Sequence, residues 1–390
     1  MKSFLATARL CIRSKNDFGL LWTLGEYLLK LGALLAQWMV WCAILPEGAE
    51  VDGLTRSSML VYISVSSALS PLLAQNGILH TELDELSERS FSFSAFCCFL
   101  RYFRRFPCDI LISHGCAASR MAGRFCAVPF LLTFKHCDVP LTKGKALLYN
   151  FFTDATVAVS TNAQEGLLEC GIAKDKIFLF ENGVSPFPLP KPSERELARR
   201  AFGIASREIA VGLCARIEEI KGHETAIRAL ASLPDRFSLW FLGEGGHRAP
   251  CERLCRALGL QERVHFLGFH ANVKPFYYAM DAHVSCSFGS ETASLSLAEG
   301  MSAGCVTFAS DIPGNRARVG DGGLYFPPRD SAALQRLILR MEDGAFRARQ
   351  SALARARALS LPREEERAKD FVAFLTDLWK KRGDTLGFRA

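Results

Sequence analysis

Residues 264–330 read VHFLGFHANVKPFYYAMDAHVSCSFGSETASLSLAEGMSAGCVTFASDIPGNRARVGDGGLYFPPRD, and this stretch decides the fold. An apolar strand (Val264–Leu267) leads to a helix (Val273–Met280) and a second strand (Ala282–Cys286). After a loop come a helix over about Ser294–Ala303 and a third strand, Val306–Ala309. Strands alternating with helices make a parallel sheet with crossover helices.

Glu291 falls in the loop and Glu299 one to two turns into the following helix, with seven residues between them, so both carboxylates can face one ligand. Between them, Ser294, Leu295 and Ser296 would present unpaired backbone N–H groups at the helix N-terminus, where the dipole favours a phosphate. Carboxylates beside an anion site suit a ligand with hydroxyls flanking a phosphate, because Glu accepts hydrogen bonds from sugar hydroxyls and donates none. A nucleotide-sugar has that layout. The plainer reading is a capping box, Ser296-x-x-Glu299, with Glu291 a solvated loop residue.

Upstream, Ile209–Cys214 is a buried strand followed by Arg216 and Lys221-Gly222. Fixed positive charge beside a strand end suits a diphosphate; a solvated face is the alternative. Ser238–Leu242 is a strand running into the glycine turn Gly243-Glu-Gly-Gly246. In the first half, Asp109–His114 and Phe130–His136 are buried strands that each end in a His, where parallel sheets place their ligands. Lys2–Ile12 reads as a first strand, Arg13–Leu31 as a loop and helix with Gly19 at its start, and Trp38–Leu45 and Ser58–Val65 as further strands. Thr156–Ser160 and Ile177–Phe180 complete that half before the turn Asn182-Gly183 and the proline-rich linker Phe187–Pro192. Residues 363–380 form an amphipathic C-terminal helix.

Five of these segments together resemble the retaining glycosyltransferases of the GT-B fold, in their large family 4. They are Arg216-x4-Lys221-Gly222, Leu242-Gly-Glu-Gly-Gly246, Val264-His-Phe-Leu-Gly268, Glu291-x7-Glu299, and Ser310-Asp-Ile-Pro-Gly-Asn315 followed by Gly320-Asp-Gly-Gly-Leu324. The resemblance covers roughly residues 208–335, with fainter matches at 108–184.

It implies an α/β chain with two facing Rossmann-like domains: residues 1–186 for the acceptor, a linker at 187–192, and 193–362 for the nucleotide-sugar donor. A C-terminal helix over about 363–382 would pack back on the first domain. By resemblance, His136 contacts the transferred sugar, with Lys135 in place of the usual small neighbour. Arg216 and Lys221 neutralise the diphosphate leaving group, Glu291 holds sugar hydroxyls and Glu299 takes the ribose. Gly243, Phe269, Ser294, Leu295 and Ser296 join the donor site. The family's Gly-Gly turn is represented only by Gly19, for which a plain turn glycine is the other reading.

The chain has 390 residues, enough for two cores, with 49% hydrophobic and 22% charged residues. A net charge of +7 favours anionic partners, and no nucleic-acid motif is present. The 14 cysteines show no CxxC pair or zinc spacing and read as reduced thiols in the cytosol. Met1–Lys15 has no uninterrupted apolar run like that of a signal peptide, and Leu28–Leu45 is too interrupted for a transmembrane helix. Phe91–Phe106 (FSFSAFCCFLRYFRRF) is either a core helix with arginines complementing its dipole or a helix lying on an anionic membrane.

The expected activity is retaining transfer from a nucleotide-diphosphate-sugar, UDP-sugar before GDP-sugar, to a saccharide or lipid-linked saccharide of the cell envelope, such as lipopolysaccharide. No Asp-x-Asp is present to hold a metal, so no metal or cofactor is expected and protein cations must serve. The expected location is the cytoplasm or the inner face of the cytoplasmic membrane. Alternatives are an inactive binding or regulatory subunit on the same scaffold and a nucleotide-sugar epimerase.

Overall fold

A computed structural model describes residues 39–51, 54–64, 79–82, 93–105, 108, 110–114, 117–135, 143–289, 291 and 294–386. The readings at Lys2–Ile12, Arg13–Leu31, Gly19 and His136 lie outside these residues. The architecture is α/β, with two Rossmann-like sheets. Contacts divide the chain into one unit of Met1–Gly183 with Glu364–Ala390 and another of Val184–Arg363.

The first unit holds a seven-stranded sheet. Its strands are β1 (Met39–Val51), β2 (Leu54–Ser64), β3 (Leu79–Glu82), β4 (Ile110–His114), β5 (Phe130–Lys135), β6 (Ala155–Ala158) and β7 (Ile177–Leu179), in the order β3-β2-β1-β4-β5-β6-β7. β4 to β7 pair in parallel. β1 alone among the described strands is reversed, antiparallel to both β2 and β4. Only Asp52-Gly53 separates β1 from β2. Two residues are too few for a parallel crossover, and Asp-Gly is a favoured hairpin pair.

Between these strands the described residues form α1 (Phe93–Arg105), α2 (Ala117–Phe125), α3 (Lys143–Phe152) and α4 (Thr161–Glu169). The alternation along β5 sets the layers. Leu131 packs with α1 and α2, whereas Phe134, on the opposite face, meets Phe371 of the C-terminal helix at 5.4 Å between ring centroids. Phe374 of the same helix reaches Phe178 at 4.8 Å. That helix runs over Glu364–Leu386 and packs on the sheet face opposite α1 and α2.

The second unit is a six-stranded sheet, wholly parallel: β8 (Ile209–Cys214), β9 (Phe237–Leu242), β10 (Val264–Phe266), β11 (Ala282–Ser285), β12 (Val306–Ser310) and β13 (Leu324–Phe326), in the order β10-β9-β8-β11-β12-β13. α5 (Pro192–Phe202) precedes β8; α6 (His223–Leu230), α7 (Arg248–Ala257), α8 (Lys274–Ala279), α9 (Leu295–Ser302), α10 (Pro313–Val319), α11 (Ser331–Leu339) and α12 (Gly344–Ser360) connect or follow the strands. Period-two patterning buries both faces: Phe237, Leu239 and Phe241 of β9 join the core under α6 and α7, while Trp240 and Leu242 join the core with α5 and α8. The segment Phe187–Pro192 is fastened to this unit. The Phe187 N–H donates to Ser302 Oγ at 2.9 Å, and Tyr278 donates to the Pro188 carbonyl at 2.7 Å.

Candidate functional site

The order β10-β9-β8-β11-β12-β13 reverses direction between β8 and β11. In open α/β sheets this switch leaves a crevice beyond the strand ends, where ligands bind. β8 and β11 pair over only two residues, Ala282 with Val211 and His283 with Gly212. Beyond them, the Cys214 N–H donates to the ring nitrogen Nε2 of His283 at 3.4 Å. His283 is fully buried, and burial lowers its pKa to about 3, so it stays the neutral acceptor that this bond requires.

The chain leaving β8 carries Arg216, which is exposed. Two glycines of the turn after β9 press against it: a Cβ on Gly243 would lie 2.1 Å from the Ala215 carbonyl oxygen, and one on Gly245 would lie 2.3 Å from that of Ile217. The Gly243 N–H donates to Gly268 at 2.9 Å, tying down the turn that presents Phe269, 74% exposed. Gly243 thus acts through close packing, and Phe269 is the free aromatic at this edge.

Lys221 ends a short 3-10 turn, and Gly222 follows in the left-handed region at φ 67°. A Cβ there would lie 2.2 Å from the carbonyl oxygen of Cys286, so the glycine lets the lysine turn rest on the end of β11. The consequence is an ion pair between the Lys221 ammonium and Glu291, whose Oε1 also accepts from Ser287 Oγ at 2.7 Å. The loop carrying Glu291 is braced from below: Ser310 donates to the Ser287 carbonyl, and Asn315 Nδ2 donates to the Ser310 carbonyl at 3.0 Å. A Cβ on Gly314 would lie 1.5 Å from the Glu291 carbonyl oxygen, which explains the glycine of the Ile-Pro-Gly segment.

α9 starts one residue after Ser294, whose side chain caps it by accepting from the Leu297 N–H at 3.4 Å and contacts Ser296 Oγ at 3.1 Å. The capping box on Ser296 does not form, because Ser296 lies inside the helix and Glu299 is five residues past the cap. Leu295 and Ser296 supply the N–H groups that no helical carbonyl can reach. Glu299 instead accepts from the hydroxyl of Tyr277 at 3.0 Å. Tyr277 is fully buried, and burial holds its pKa well above 10, keeping the phenol a proton donor.

The second unit therefore brings Arg216, Lys221, Gly243, Phe269, Glu291, Ser294, Leu295, Ser296 and Glu299 to one edge of one sheet. Sequence reasoning missed Tyr277, Ser287 and His283. Ser287 stands four residues before Glu291, a spacing that could have been read; Tyr277 and His283 sit in apolar segments that read only as core. Beside Lys221, His223 is buried with both ring nitrogens unpartnered among the described residues; burial first, then His247 and Lys221, lower its pKa to about 3. No group of three His, Cys, Asp or Glu among the described residues is placed to hold a metal ion.

Residues 208–343 match the family described as Glycosyl transferases group 1. The chain is 33% identical over 137 residues to the lipopolysaccharide core biosynthesis glycosyltransferase LpsE of Rhizobium meliloti, covering 34% of this chain and 40% of that protein. It is 28% identical over 214 residues to LpsD of the same organism, another lipopolysaccharide core biosynthesis glycosyltransferase, covering 55% and 58% respectively. The chain thus spans less than two thirds of the length of these relatives. Among solved structures, Anabaena HepE in complex with UDP and glucose superposes with a TM-score of 0.71 at 20% identity over 81% of this chain and 91% of that one, a likeness of fold.

Proposed function

We propose that the chain is a retaining glycosyltransferase that moves a sugar from a nucleotide-diphosphate-sugar, UDP-sugar before GDP-sugar, to a saccharide or lipid-linked saccharide of the cell envelope. One observation carries this reading: two cations, two carboxylates and a helix N-terminus converge at the switch between β8 and β11. The match over residues 208–343 and the lipopolysaccharide core functions of LpsE and LpsD support it.

In this reading the donor diphosphate lies against the N–H groups of Leu295 and Ser296, with Arg216 and Lys221 around it and Phe269 beside the nucleotide. Glu299, aimed by Tyr277, accepts from the ribose hydroxyls. Glu291 accepts from hydroxyls of the transferred sugar, a role that the sequence resemblance also gives to His136, and the first domain takes the acceptor. The bond between the anomeric carbon and the phosphate oxygen breaks, and the acceptor oxygen bonds to the same face of that carbon. The acceptor proton passes to the departing phosphate. Negative charge builds on the diphosphate as the bond breaks, and fixed cations stabilise it without reorganising. With no Asp-x-Asp motif, Arg216 and Lys221 are assigned the part that a metal plays elsewhere.

Calorimetry with UDP, GDP and ADP tests the donor site. Selective binding of one nucleotide, weakened in Glu299→Ala, is the expected result. No binding of any of the three, or equal binding by wild type and variant, removes the assignment.

A further inference from the structure

α1, α2 and α3 lie on one face of the first sheet. α1 and α2 bury Phe99, Phe103, Ala118 and Ala122 against Leu111 and Leu131, and Arg120 of α2 lies 4.3 Å over the ring of Tyr149 in α3. On α3, Ala146 and Tyr149 are buried, while Leu147 at 70% exposure, Leu148 at 53% and Phe151 at 66% form one helical stripe open to solvent. Phe93 and Phe125, 71% and 66% exposed, are joined through Phe96 at centroid distances of 6.2 and 5.7 Å.

The charge carried by the three helices themselves has one sign, and Asp154, just past α3, is taken up by Arg124 of α2 at 3.1 Å. Arg101, Arg104 and Arg105 are exposed on α1, Lys143 and Lys145 open α3, and none of the three helices contains an Asp or a Glu. The bias ends at the neighbouring helices: α4 carries Glu165 and Glu169, and the C-terminal helix opens with Glu364, Glu365 and Glu366. Exposed apolar side chains on helices whose only charges are cations match an anionic bilayer, which offers phosphates at its surface and acyl chains beneath. A protein partner gives no such reason for three helices that carry cations and no carboxylate. Among the described residues, no helix is long and apolar enough to cross a membrane.

We propose that the face formed by α1, α2 and α3 docks on an anionic lipid surface, with Leu147, Leu148, Phe151, Phe93 and Phe125 inserting and the arginines of α1 meeting the headgroups. The inserting residues belong chiefly to α3. Phe99 and Phe103 of the aromatic segment 91–106 face the core, so α1 contributes its cations and Phe93.

Co-sedimentation of the full chain with vesicles tests this without donor or acceptor, so the result is independent of the transferase reading. Binding is expected to vesicles of mixed phosphatidylglycerol and phosphatidylcholine, to weaken with salt, and to be absent with phosphatidylcholine alone. The double variant Leu147→Glu, Phe151→Glu should lose about tenfold or more in binding. Arg101→Glu with Arg104→Glu, which spares the apolar stripe, should bind about tenfold more weakly. Circular dichroism checks that each variant is folded. Failure of wild type to pellet, or full binding by both folded variants, overturns the proposal. So does a concentration-dependent dimer in sedimentation velocity that the α3 variant abolishes, since that result gives the face to a second copy.

Discussion

In the second unit, charged side chains gather at the carboxyl edge of a parallel sheet and are held there, Lys221 by an ion pair with Glu291 and Glu299 by the neutral phenol of Tyr277. In the first, three neighbouring helices carry charges of one sign only, together with large apolar side chains that stand open to solvent. The contrast separates two ways in which a fold prepares for a ligand. Topology can bring opposite charges to one point and hold them, which suits a small polar substrate. A helix face can instead be left unmatched, which suits an extended surface of complementary charge.

The largest expected effect tests the paired edge. Arg216→Ala and Lys221→Ala should each lower kcat/KM by about 10²–10³, the loss typical of removing one donor to developing negative charge. Turnover of both variants within about threefold of wild type would remove the leaving-group role and reduce the edge to a structural ion-pair cluster. The α3 variant Leu147→Glu, Phe151→Glu should leave nucleotide affinity unchanged while vesicle binding falls; a matching loss of both would erase the division of labour.

A second effect is on stability. His223 and His283 are buried and neutral, with pKa values lowered to about 3, whereas an unfolded histidine titrates near 6.5. Between those values the unfolded chain binds more protons, so stability is full above pH 6.5 and falls as pH drops toward 3. The slope approaches roughly 1.4 kcal/mol per pH unit for each histidine. Denaturant unfolding at pH 7.5, 6 and 5 should show this decline, and His223→Leu should remove about half of the slope. An unchanged slope would place the acid sensitivity elsewhere.

The smallest effect concerns aim. Tyr277→Phe keeps the packing and deletes one hydrogen bond to a carboxylate, so nucleotide affinity should fall roughly tenfold. Unchanged affinity would mean that Glu299 is positioned by its helix alone.

The parallel sheet of the second unit was readable because each strand is an apolar run between helices, and the ends of β8 and β11 carry charge that the runs lack. The capping residue was not, since Ser294 and Ser296 both precede Glu299 and only the helix start separates them. The reversed β1 had its signal in Asp52-Gly53, hidden because the flanking runs look like any buried parallel strand. α3 escaped entirely. Its sequence, KGKALLYNFF, is apolar on both faces, so periodicity cannot say that Ala146 and Tyr149 are buried while Leu147 and Phe151 are not.

At the boundary of the second unit, the Val184 N–H donates to the Pro362 carbonyl at 2.9 Å, and Val184 and Arg363 form an isolated parallel bridge. The entry and exit of a 180-residue unit (363 − 184 + 1 = 180) are thus one hydrogen bond apart. A segment with adjoining ends can be exchanged as a cassette without respacing its host, because the gap it leaves is one that a short loop closes. On the proposed reading, nucleotide-sugar preference is inherited by replacing residues 184–363 as a block, while α1 to α3 and the C-terminal helix on the other face of their sheet remain as they are.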